Sequence, residues 1–174
     1  MTITPDTKDW TFVLERACPE CGFDSHTITG PEVPDALRDA LDVWPEVLRR
    51  PDVRERPDPS TWSPLEYACH VRDVCRVFVR RLNLMLSENN PTFDSWDQDK
   101  TAIDDSYAEQ DPEVVLGELV EAGQTMASGL DAVPDDAWSR QGRRSDGATF
   151  TIDTFARYLL HDIVHHVWDV NRTR

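Results

Sequence analysis

Residues 63–87 constrain this chain more than any other stretch. Ser63-Pro64 has the signature of a helix start, with serine as N-cap and proline at the first helical position. Leu65, Cys69, Val71, Val74, Cys75, Phe78, Leu82, Met85 and Leu86 then recur at helical spacing and form a wide apolar stripe. A single helix cannot hide such a stripe, so partners must exist, and three more segments carry the same period. From Pro34 to about Arg50, residues Leu37, Leu41, Trp44 and Leu48 share a face, with Pro45 placed to kink or break the helix. Asp111-Pro112 opens a third helix over about 112–130 through Val115, Leu119, Ala122, Met126 and Leu130. A fourth runs from near Ile152, capped by Thr151, to about Val170 and is apolar around most of its circumference. With no sustained two-residue alternation, the expected fold is all-α, a four-helix bundle. Its connections are long: a proline-rich stretch after Arg50, the Asp-dense 88–110, and the polar SRQGRRSDGAT, read as a turn or short hairpin. Residues 1–33 read as an irregular segment packed on a bundle formed by 34–174.

Charge narrows the partners. Against 18 Lys and Arg stand 33 Asp and Glu, a formal net charge of −15 over 174 residues. Neither nucleic acid nor an anionic membrane is expected as a main partner, because both demand basic surfaces. No apolar run approaches the roughly 18 residues of a membrane span and no signal-peptide pattern is visible, so the expectation is a cytoplasmic protein acting on a small molecule. Four unevenly spaced cysteines, at 18, 21, 69 and 75, do not make a disulfide framework. Bundles with so broad an apolar helix often pair, so a homodimer is compatible with the pattern, although no seam is legible.

The last helix raises the chemical question. The stretch YLLHDIVHHVWDV, residues 158–170, holds three of the five histidines. His161 and His165 are four apart and stack one turn apart on one face, so both imidazoles can reach one metal ion. Asp162 and His166 form an alternative pair at the same spacing. The first pair is preferred because Tyr158 and Trp168 flank it as pocket walls. His70, the one histidine on another expected helix, supplies the third ligand, with Tyr67 three residues before it. Three imidazoles inside a bundle suit a divalent transition metal with an open position. Asp73 and Asp169 are placed to accept hydrogen bonds from ligand imidazoles, and His166 is expected just outside the ligands or at the surface.

These motifs carry a resemblance. WSPLEYACHVRDV, the late LLHDIVHHVWDV, the SWDQDK loop and the lead-in GATFTIDTFARYLLHD are similar to the DinB-like superfamily over about residues 34–171. The resemblance implies a four-helix bundle holding zinc or nickel on His70, His161 and His165. It also implies a thiol S-transferase or isomerase activity, in which the metal deprotonates a low-molecular-weight thiol such as mycothiol or bacillithiol for attack on an electrophile. Competing expectations are a metal-assisted hydrolase and a stress or resistance protein that only sequesters a ligand.

Other features fall outside that pattern. Cys18-Pro-Glu-Cys21 has the spacing of a metal or redox pair but lacks the second pair of a zinc ribbon. His26 is a candidate third ligand for it. Arg72, Arg76 and Arg80 recur every four residues and read as a solvated stripe, and Trp96 as a cover for the pocket entrance or an anchor for its loop.

Overall fold

The computed structural model describes residues 8–172; the first seven residues of the expected N-terminal segment and the last two of the bundle lie outside them. Among the described residues six α-helices are formed: α1 Val33–Leu41, α2 Trp44–Val47, α3 Pro64–Ser87, α4 Gln98–Asp104, α5 Pro112–Asp131 and α6 Ile152–Arg172. α1, α3, α5 and α6 make the four-helix bundle.

Local chemistry sets the boundaries. At the start of α3, Glu66 N donates to Ser63 Oγ and Ser63 N donates to Glu66 Oε2 at 2.9 Å, a reciprocal cap that satisfies two orphan amides. Asp111 accepts from Glu113 N and Val114 N at α5. Thr151 and Thr154 exchange equivalent bonds at α6. α1 ends at Leu41, the residue whose carbonyl the Pro45 ring would strike if the helix continued, and α2 restarts beyond it.

Trp44, Leu65, Leu82, Leu119, Met126, Leu130, Phe155 and Leu159 are fully buried between these helices. A three-stranded sheet closes one end of the bundle. β1 (Thr92–Phe93) runs parallel to β2 (Gln141–Arg144), which pairs antiparallel with β3 (Thr149–Thr151). Phe93 and Phe150 reach inward to within 6.1 and 6.0 Å of the Phe155 ring. Gly142 lets β2 lie flat on the core, because a Cβ there would meet Met85 Cγ at 2.7 Å.

The N-terminal segment crosses α6 in short 3-10 turns at Trp10–Leu14, Ser25–Thr27 and Gly30–Glu32. Arg157 donates to Ser25 O at 3.1 Å and Gly30 N to Asp153 Oδ1 at 2.6 Å, which fixes this strap along the helix that carries the histidines. Among the described residues, no helix is long and apolar enough to cross a membrane.

Candidate metal centre

Successive residues of an α-helix are turned by about 100°. Positions 161/165 and 162/166 of α6 are therefore two columns on adjacent faces, and the structure uses both. One column meets α3. His70, Asp162 and His166 bring one ligand atom each to within 4.8 Å of one another. The Nε2 atoms of His70 and His166 face the same oxygen, Asp162 Oδ1, at 3.5 and 3.4 Å. The other column meets the strap: His161 and His165 group with Cys18 and Cys21. The expected set of His70, His161 and His165 is thus not what the structure groups. The physical reason is the rotation of α6 against α3, which turns 162 and 166 toward residue 70.

The three-residue group fits a cation. His70 is completely buried, yet neither of its ring nitrogens, nor Asp162 Oδ1, has a hydrogen-bond partner. Buried polar atoms left this way cost about 1–3 kcal/mol each unless something else binds them. Donor atoms about 2.0–2.1 Å from an ion at tetrahedral angles stand roughly 3.4 Å apart, close to the spacing of the two nitrogens from Asp162. His70 is held by the Trp96 ring, stacked at 5.3 Å with 3° between planes, and by Trp62 at 5.2 Å.

His166 Nδ1 pairs with Asp169 Oδ2 at 3.0 Å, and Arg172 Nε donates to the other oxygen of Asp169 at 3.2 Å. Burial alone would strip the His166 proton, but the carboxylates of Asp162 and Asp169 outweigh it and raise its pKa to about 9. Burial likewise disfavours the Asp162 anion, but the imidazoles of His166 and His70 hold its carboxyl well below the usual range. The proton therefore sits on His166, beside an ionised Asp162.

Other expected residues divide. Tyr67 packs on His166 at 5.1 Å, whereas Trp168 lies against His165 at 5.3 Å and lines neither cavity beside the site. Asp73 does not serve His70. It is gripped bidentately by Arg72 at 2.9 Å and accepts from Tyr107 Oη at 2.5 Å, so the expected solvated arginine stripe begins with a buried ion pair. His26 joins no metal group; it is exposed and pairs with Asp24 at 3.0 Å. Burial pushes the Cys21 thiol up to about 11, the opposite of the lowered pKa that makes a redox thiol reactive.

Two cavities adjoin the centre. One of about 210 Å³ is lined by Trp10, Trp62, Tyr67 and Tyr158 and by residues of both columns, His161, Asp162, His165 and His166. The other, about 410 Å³, is lined by Phe78, Arg81, Trp96, Arg144, Tyr158 and Asp162. Trp10, Gln98, Asp99, Tyr158 and Asp162 belong to both, so the Asp162 carboxylate stands at the junction. Arg81, whose pKa burial and the neighbouring Arg144 lower to about 10, and Arg144 share the larger cavity with Asp97, Asp99 and Asp146, and Arg144 Nε donates to Asp146 at 2.8 Å, so its lining is charged with both signs. Arg144 and Trp62 came from connections with no periodic signal. The 162/166 spacing was legible but could not be ranked without knowing which face of α6 meets α3.

Comparison with known proteins follows the same lines. A family model described as the DinB superfamily matches residues 32–170. The fold is similar to YfiT from Bacillus subtilis, at 19% identity and a TM-score of 0.63, covering 98% of this chain and 93% of that one. YfiT is described as "a probable metal-dependent hydrolase with an unusual four-helix bundle topology". No protein with a curated description matches.

Proposed function

The chain belongs to the DinB superfamily, and we propose that it is a metal-dependent transferase that joins a low-molecular-weight thiol, of the mycothiol or bacillithiol kind, to an electrophilic small molecule. His70, Asp162 and His166 would hold the cation; two imidazoles and a carboxylate suit zinc or nickel. Bound there, a divalent cation supplies Lewis acidity, which lowers the pKa of a thiol or water near it. The observation that carries the reading is that Asp162 lines both cavities. A transfer needs two reactants side by side at the activating group, and two chambers meeting at one ligand provide that.

The protein's own groups do the rest. Asp169 binds Nδ1 of His166 and so leaves Nε2 turned to the site. Trp96 and Trp62 clamp His70 in one rotamer. Trp10, Trp62 and Tyr67 give the smaller chamber aromatic walls beside its histidines and carboxylates. Arg81 and Arg144, set among Asp97, Asp99 and Asp146, would hold a polar end of one reactant in the larger. In the transfer, the S–H bond breaks and its proton passes to solvent. The sulfur pair forms a bond to the electrophilic carbon. The electron pair displaced there leaves with its group, or moves to a conjugated oxygen that takes up a proton. Four free cysteines and a thiol reactant both suit a reducing cytoplasm.

One observation favours a second reading. Two histidines and one carboxylate are also a donor set of metal hydrolases, and YfiT carries that description. The deciding experiment assays the metal-loaded chain on activated electrophiles with and without added thiol, beside His70→Ala. Turnover that requires both thiol and His70 supports transfer. Equal turnover without thiol establishes hydrolysis instead, and stoichiometric binding with no turnover overturns both.

A further inference from the structure

The strap contains a turn built to present two sulfurs. Cys18 N donates to Phe23 O at 2.8 Å and Gly22 N donates to Cys18 O at 2.9 Å, closing the chain around residues 18–23. Gly22 has φ +78°, a left-handed conformation that a side chain would strain, and it lets the backbone double back after Cys21. The sulfurs meet the second histidine column of α6, more than a hundred residues away in sequence. Cys18, Cys21, His161 and His165 bring their ligand atoms to within 4.8 Å of one another. Cys18 Sγ lies 3.7 Å from His165 Nδ1. In a tetrahedral site with bonds of about 2.3 Å to sulfur and 2.0–2.1 Å to nitrogen, that edge is roughly 3.5 Å.

Three observations point to a ligand rather than to a packed core. His161 is buried, 3% exposed, and its Nε2 has no hydrogen-bond partner. The thiols are free, so no disulfide accounts for their proximity. His165 turns Nε2 toward carboxylates, Asp169 Oδ2 at 3.8 Å and Glu20 Oε2 at 3.9 Å, the outer environment of a metal-binding imidazole whose Nδ1 faces inward.

We propose that Cys18, Cys21, His161 and His165 form a second metal site, of closed four-coordinate zinc type, that rivets the N-terminal strap to α6. Two thiolates and two neutral imidazoles balance a divalent cation, so the set, buried except for a half-buried Cys21, carries no net charge. Four protein ligands leave no open position, which makes the site structural. Soft sulfur donors separate it chemically from the nitrogen and oxygen set around Asp162. Its consequence for the cleft is direct: the strap carries Trp10, whose ring packs 5.4 Å from His161 and 4.8 Å from His165 and walls both cavities. Asp169, paired with His166 and facing His165, lies between the two sites. The inference stands whether the neighbouring centre transfers thiols, hydrolyses esters or does neither.

The test is cobalt substitution of the metal-free 174-residue chain under anaerobic conditions. Wild type and His70→Ala are expected to show the near-ultraviolet sulfur-to-cobalt charge-transfer band and intense visible bands of tetrahedral cobalt. The Cys18→Ser, Cys21→Ser double variant should lose the sulfur band while still binding cobalt at the His70 group. Loss of the band in His70→Ala, or its absence from wild type, overturns the proposal. Limited proteolysis of wild type supplies a reading that does not depend on the variant folding. Zinc should protect the strap from cleavage after Arg16, and chelation should expose it; equal cleavage in both conditions contradicts the rivet.

Discussion

His70→Leu should make the metal-free protein more stable while removing its response to metal at the centre. The imidazole is completely buried, and both of its nitrogens lack hydrogen-bond partners. Nδ1 faces no partner and costs about 1–3 kcal/mol, whereas Nε2 stands 3.5 Å from Asp162 Oδ1 and adds little to that cost. Leucine fills a similar volume with no polar atom. Against this stands the lost ring stacking on Trp96, worth about 0.5–1.5 kcal/mol. The net gain without metal is about 1 kcal/mol, and each kcal/mol moves the melting temperature of a domain this size by roughly 2–4 °C. With metal at a hundredfold excess over its dissociation constant, the wild-type centre gains about 2.7 kcal/mol that the variant cannot. Urea denaturation in chelator and in excess zinc reads both terms. In chelator the variant unfolds at higher urea than wild type; in zinc its increment is smaller by the share of the lost centre. A variant less stable than wild type in chelator, or an equal zinc increment for the two, would refute the reasoning.

Three further outcomes follow from the geometry. Glu66 is buried and accepts from Arg56 Nε at 2.8 Å, from Arg56 Nη2 and from Ser63 N; burial opposes its ionisation, but these bonds win and hold its pKa below the ordinary value. Its stabilisation is therefore present above the unfolded carboxylate pKa of about 4.3 and lost as pH falls through the folded value, so Glu66→Gln should cost about 2 kcal/mol at neutral pH and progressively less in acid, read from denaturant midpoints against pH. Gly30→Ala places a Cβ 2.5 Å from Trp138 Cε3 and 2.9 Å from Asp153 Oδ1, and the resulting shift of the strap should cost about 1–3 kcal/mol in thermal unfolding. Arg144→Gln removes a donor from the larger cavity and releases its partner Asp146, and should raise KM for a reactant held there by a polar end about tenfold, the worth of one hydrogen bond to a charged group, with kcat little changed in steady-state assays.

The bundle was legible because its helices are written in local chemistry. Ser63 with Glu66, Asp111 with Pro112, and Pro45 each fixed a boundary by capping or by steric conflict, and the apolar period did the rest. The hairpin after residue 140 was signalled by its turn residues. β1 was not, because two residues cannot show an alternation and its partner strand lies about fifty positions away. The candidate site was legible as a set of residues and illegible as a partition. Residues 161, 162, 165 and 166 form two equivalent columns, and only tertiary rotation decides which one His70 joins. The same holds for Cys18 and Cys21: local sequence offered His26 as a partner, but the strap leaves that ring in solvent and carries the sulfurs to α6. Asp73 shows the converse, a residue whose helical spacing suited His70 and whose side chain is claimed by Arg72 and Tyr107.

The most direct measurement is anomalous diffraction at the absorption edge of the metal bound to crystals of the wild-type chain. The account predicts a peak bounded by Nε2 of His70, an oxygen of Asp162 and Nε2 of His166, at bonding distance from all three. A peak shared by His70, His161 and His165, with Asp162 left outside it, would contradict the account.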